Sequence, residues 1–170
     1  METRSITAQV PTVPRMTEDP AQLVPELAAV SAALFKVTGN GSVPRSTISL
    51  VQLRAGQIVG STYLTVLHTG FLRKAGEPEE RITSVTSWQD SPYFTGAERA
   101  ALALVEAVLQ PSAHGNGERV SDELYAQAAE HYEARALATL MFAIGQVNFF
   151  IAVALIAKPV PGRSFTDPWT

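Results

Sequence analysis

The side chains best suited to chemistry in this 170-residue chain gather between positions 57 and 68: Gln57, Ser61, Tyr63, Thr65 and His68. Ser61 and His68 could form a nucleophile and its base if they met. Their spacing places them on one helix face but roughly 10 Å apart along its axis, whereas such a pair must approach to roughly 2.6 to 3.2 Å. A serine-hydrolase dyad would need Gly60 to bend the chain severely, and no GxSxG elbow is present. What remains geometrically open is a one-histidine acid/base site. Thr65 lies one turn before His68, and Gln57 and Tyr63 can come near the same cavity. The plainer alternative is a buried imidazole hydrogen-bonded to a backbone carbonyl.

The cysteine count is zero, which excludes disulfides, thiolate metal sites, sulfenic acid intermediates and disulfide exchange by the chain itself. His68, His114 and His131 are too scattered for metal-ligand spacing, and no H-E-x-x-H accompanies them, so no metal is expected. His114 sits in a glycine-rich loop and reads as solvated; His131, at a helix end, can interact with the helix dipole. Gly39-Asn40-Gly41 and Gly115-Asn116-Gly117 follow no strand and carry no P-loop lysine, so they read as helix stops or turns. With 13 basic against 16 acidic side chains there is no electrostatic footprint for nucleic acid.

The elements that must position these residues are helices. One helical pattern starts at Asp19 and runs through Leu23, Leu27, Val30, Leu34 and Phe35 to a stop at Gly39. A second starts near Pro44 and carries Ile48, Val51, Ala55 and Ile58 on one face, up to an interruption at Gly60. Helix resumes from Ser61 to Ala75 and ends at Gly76. Pro78, Glu79 and Glu80 open a short helix through Trp88, closed by Ser91-Pro92. Thr95 with Glu98 makes a capping box, Ser121 caps the next helix, and a last long helix carries Leu137, Leu140, Met141, Ile144, Val147 and Ile151 in register. Trp88, Tyr93 and Phe94 read as packing aromatics. No period-two strand run or solenoid repeat appears, so the fold class is all-α.

The uncharged stretch 138–157 has the length of a membrane span. Gln146 and Asn148 lie in its middle and an amphipathic helix leads into it, so it reads as a helix buried in the core or a subunit interface rather than in a bilayer. The proline-containing N-terminus lacks a secretory signal, and a cytoplasmic location is the expectation. Residues 1–18 read as an extended arm, 19–162 as one domain and 163–170 as a tail.

From about Leu23 to Pro161 the order of segments resembles the alkylhydroperoxidase D branch of the carboxymuconolactone decarboxylase family. The stretches RAGQIVGSTYLTVLHT, RKAGEPEERI, SWQDSPYFTGAERAALAL and AIGQVN carry the resemblance. It implies an AhpD-like helical bundle and a homo-oligomer of trimer or hexamer type. It also implies a relay of a glutamate, a Cys-x-x-Cys pair and a histidine. On this chain the glutamate position falls on Ser49, the cysteine positions on Ser61 and Leu64, and the histidine position on His68.

Only the histidine survives, and serine cannot replace a thiol toward a peroxide. The chain therefore reads as a divergent, redox-inactive member. In the last helix Ile151-Ala152, following Phe149-Phe150, stands where relatives often carry Asn-Arg, which implies a more apolar pocket. The expectation is a cofactor-independent acid/base enzyme, of isomerase, cyclase or lyase type, acting on a small apolar molecule through His68. Ser61 and Thr65 would assist, and Gln57, Ser49, Leu64, Tyr63, Phe150 and Ala152 would line the substrate site. The alternative is a non-catalytic ligand-binding or scaffold protein on the same fold.

Overall fold

A computed structural model describes residues 13–110 and 118–163, and among them every regular element is helical. The expected first helix is two. α1 (Pro20–Leu23) is capped by Asp19, whose carboxylate accepts from the Ala21 amide at 2.8 Å, and α2 (Glu26–Thr38) starts after Pro25. Apolar periodicity runs straight through this break, but Pro25 has no N–H to continue the ladder and disfavours helical geometry at Val24. The loop after α2 turns at Gly41 with φ +83°. Asn40 and Ser42 then tie it to Thr139 through bonds of 2.8 and 2.9 Å, which fixes α2 against the last helix.

α3 (Arg45–Ile58) follows Pro44 and is the central element. Val51 and Ala55 belong to one apolar cluster with Leu64, Ala101, Val105, Leu140 and Val147. Leu50 and Leu53 belong to a second with Leu72, Ile82, Val85, Trp88, Phe94 and Leu102. Fully burying each of these leucines contributes about 1.5–3 kcal/mol, so α3 cannot leave either cluster cheaply.

Gly60, at φ +67°, makes the turn into α4 (Thr62–Lys74). Gly56 lets α4 start close against α3, since a Cβ there would stand 3.0 Å from Leu64 Cβ and 3.1 Å from the Thr65 amide. α5 (Glu79–Thr83) gives way to a 3-10 segment, Ser84–Asp90, so the expected helix through Trp88 changes its winding partway. α6 (Gly96–Leu109) carries both halves of the Thr95/Glu98 capping box, and α7 (Asp122–His131) is capped by Ser121. The expected solvated position of His114 lies outside the described residues.

α8 (Ala134–Ala157) is 24 residues long and is the described helix apolar enough to cross a membrane by length and composition. Leu140, Ala143, Val147 and Ile151 are buried in the main cluster. The backbone of Arg15 and Met16 bonds to the Ala157 carbonyl at its far end. On the other side of the helix Met141, Phe149, Leu155 and Ile156 are exposed.

Candidate functional site

Two adjoining cavities lie where α2, α3, α4 and α8 meet. The first, of about 430 Å3, is lined mainly by carbon: Leu27, Leu64, Leu67, Phe71, Phe150 and Val153 are among its walls. The second, of about 460 Å3, adds Thr38, Arg45, Ser46 and Ser49. Phe35, Gln52, Phe71 and Gln146 line both. Each volume falls in the roughly 300–1,000 Å3 range of small-molecule sites.

His68 reaches the first cavity from the middle of α4 and is only 7% exposed. Its ring meets Phe71 edge to face, with centroids 5.7 Å apart. Burial pushes its pKa down from the ordinary 6.5 to about 4, because an imidazolium would lose its hydration there. The imidazole is therefore neutral at pH 7. Its Nδ1 is sealed from solvent and has no hydrogen-bond partner among the described residues, so the carbonyl bond expected for a merely structural histidine is absent at that atom.

The second polar feature is a pair of amides that sequence reasoning does not bring together. Gln52 on α3 is 8% exposed and Gln146 on α8 is 2% exposed. Gln52 Nε2 donates to Gln146 Oε1 at 3.2 Å, at the junction of the two cavities. In the sequence Gln146 reads only as a polar interruption of an apolar helix. The two glutamines are 94 positions apart and come together only through the packing of α3 on α8.

The remaining residues expected at the site divide. Leu64 and Phe150 line the first cavity with His68, and Ser49 lines the second. Ser61 and Tyr63 line neither; they border a separate space of about 180 Å3 beside Ala154 and Pro159. The Ser61 hydroxyl caps α4, accepting from the Leu64 amide at 3.3 Å. Thr65 is half-buried and borders neither cavity, and Gln57 turns back to Arg54 at 3.4 Å. Gln57 follows Gln52 by five residues and so points roughly 140° around the helix from it. Ala152 is exposed outside the cavity, two residues and thus roughly 200° around α8 from Phe150; Val153 occupies the wall instead. Among the described residues no group of three His, Asp or Glu side chains could hold a metal ion.

The sequence profile of the carboxymuconolactone decarboxylase family matches residues 25–107. The uncharacterised protein YdfG of Bacillus subtilis is 32% identical over 135 residues, covering 79% of this chain and 88% of that protein. The chain belongs to the carboxymuconolactone decarboxylase family. Solved structures extend the likeness in fold. An Agrobacterium tumefaciens protein of unknown function, described as an AhpD-type antioxidant-defence protein, superposes with a TM-score of 0.74 at 24% identity, over 85% of this chain and 96% of that one.

The debrominase Bmp8, in a cysteine-to-alanine variant complexed with 2,3,4-tribromopyrrole, gives 0.69 at 18% identity, over 79% of this chain and 70% of that one. The carboxymuconolactone decarboxylase family fold is thus present without any sulfur nucleophile, and the chain is a divergent member of the family.

Proposed function

We propose that this protein binds a small apolar molecule in the cavity beside His68 and, without a cofactor, moves a proton on it with that imidazole. The observation that carries the reading is a buried histidine whose Nδ1 has no partner among the described residues, set on a carbon-lined cavity large enough for a small molecule. A polar atom sealed in protein without a partner costs roughly 1–3 kcal/mol, so a turn of the His68 ring that brings Nδ1 to an occupant of the cavity would be favoured. The thiol route to peroxide reduction is closed by composition, because the chain contains no cysteine. The likeness to a debrominase acting within the same fold supports chemistry other than peroxide reduction.

The depressed pKa limits the chemistry. A base whose conjugate acid has a pKa of about 4 is weak, so it can take only a proton made far more acidic than that of a simple ketone, such as one on carbon between two carbonyl groups. Isomerisation or elimination from such a carbon fits. Incubating the protein with aryl ketones that carry a second carbonyl on the same carbon, in deuterium oxide, should give exchange at that carbon above the spontaneous rate, and His68→Gln should reduce the protein-dependent rate at least about a hundredfold. Exchange that is unchanged in the variant removes His68 from catalysis.

One observation favours a second reading, binding without turnover. Among the described residues no carboxylate bonds the imidazole, unlike the arrangement that strong general bases use, and Asp19 on the same cavity wall accepts instead from the Ala21 amide. Under that reading His68→Gln leaves affinity for a neutral dye such as 1-aminoanthracene within about twofold, and no ketone exchanges above the spontaneous rate with either protein. The assembly is proposed to be a cytoplasmic homo-oligomer, with a second copy covering the exposed residues Met141, Phe149, Leu155 and Ile156 of α8.

A further inference from the structure

The second cavity differs from the first in its chemistry. Among the residues lining the two, the charged side chains are Arg45, which borders only the second, and Asp19, which borders only the first. Arg45 stands at the start of α3 and makes no ion pair or hydrogen bond among the described residues. Beside it are Ser46 and Ser49, and the Pro44 cap offers α3 no side-chain acceptor, so the positive end of the helix also faces this region.

The glutamine pair between the cavities provides an independent sign of a ligand. One hydrogen bond joins Gln52 and Gln146, leaving an amide N–H on Gln146 and a carbonyl oxygen on Gln52 without protein partners among the described residues. Whichever way the two amides are set, one donor and one acceptor remain, on side chains that are at least nine-tenths buried. Buried amides are left so when something else is to meet them.

Building on the cavity reading above, we infer that the ligand is a monocarboxylate with an acyl or aryl body. The body lies in the carbon-lined cavity beside His68. The chain crosses the Gln52–Gln146 pair, which can hold a carbonyl or hydroxyl there. The carboxylate meets Arg45, with the Ser46 and Ser49 hydroxyls as further donors. Asp19 disfavours the reverse orientation, because it would set a second carboxylate beside its own. The orientation places carbons near the carboxylate end close to the glutamines and more distant carbons close to His68.

Titration calorimetry of the full-length protein at low ionic strength, with octanoate, methyl octanoate and 1-octanol, tests this. Octanoate should bind at least about tenfold more tightly than either neutral compound, a preference that added salt erodes. Arg45→Gln should abolish the preference while leaving 1-octanol within about twofold. Arg45 has no partner to lose among the described residues, so the variant should melt like the parent. Equal affinity for acid and alcohol, or a preference that survives Arg45→Gln, overturns the carboxylate anchor and leaves the cavity reading standing. If Ala32→Trp, which fills the first cavity, changes the binding of none of the three, or if none binds, the cavity reading fails and the anchor with it.

Discussion

Two polar regions of this molecule are built in opposite ways. Around α5 and α6, the charged side chains that are not exposed all have partners. Arg81 bridges Glu77 and Glu98 and donates to the Tyr93 carbonyl, and Glu98 closes the capping box with Thr95. Glu106 accepts from Arg54 at 2.7 Å, from Trp88 Nε1 at 2.9 Å and from Gln89 at 3.1 Å. Around the cavities, the buried imidazole and two buried amides have unused valences among the described residues, and the arginine nearby has no ion pair among them. A network that satisfies itself serves the fold, whereas one that does not is arranged for a visitor. The same inventory of polar residues thus separates scaffold from site by partnership rather than by residue type.

The comparison breaks most visibly at Glu98. Burial alone would raise its carboxyl, but Arg81 and the Thr95 hydrogen bonds hold it below the usual range. Glu98→Ala removes a cap and an ion-pair partner together and should destabilise the protein by about 3 kcal/mol in chemical denaturation. Dye binding in the cavity should stay as it was, since the two regions share no residue. A comparable loss of binding would mean that the regions are not independent.

Next comes the pH response of the cavity. His68 has a folded pKa of about 4 against an ordinary 6.5, so between those values the unfolded chain binds a proton that the native protein does not. Stability therefore falls as pH drops through this window, by about 3 kcal/mol, and levels off below it. His68→Gln should flatten that part of the profile. An unchanged profile in the variant would place the titration elsewhere.

A smaller effect is expected from replacing Gln52 and Gln146 together by leucine. Removing both partners of a half-satisfied pair should be neutral or stabilising, within about 1 kcal/mol, as read by the denaturation midpoint. A loss of several kcal/mol would show that the pair is structural after all. The smallest stability change, within about 0.5 kcal/mol, should come from Ala32→Trp on exposed α2, although it should abolish 1-aminoanthracene binding.

The sequence revealed the scaffold more fully than the site because helix signals are local. The Thr95/Glu98 box, the Ser121 cap and Gly76, with φ +81°, all stand within a few residues of the geometry they dictate. The break at Val24–Pro25 is equally local but is obscured by apolar periodicity on both sides. Site membership instead depends on which face of a helix meets another helix. His68, Leu64 and Phe150 are legible as cavity residues through resemblance and composition. Ala152 is misplaced because its chemistry suggests a wall while its register puts it on the far face. Gln52 is invisible, being an ordinary polar residue until Gln146 packs against it.

Ser61 gives the loss of sulfur a direction. The position that the family resemblance assigns to a reactive cysteine now supplies the oxygen on which α4 begins. Returning a thiol there would exchange a good acceptor for a poor one at the first turn, and the second cysteine would have to displace Leu64 from the core. Each reverse step would weaken the fold before any activity reappeared. The packing of this fold therefore penalises a Cys-x-x-Cys pair at positions 61 and 64.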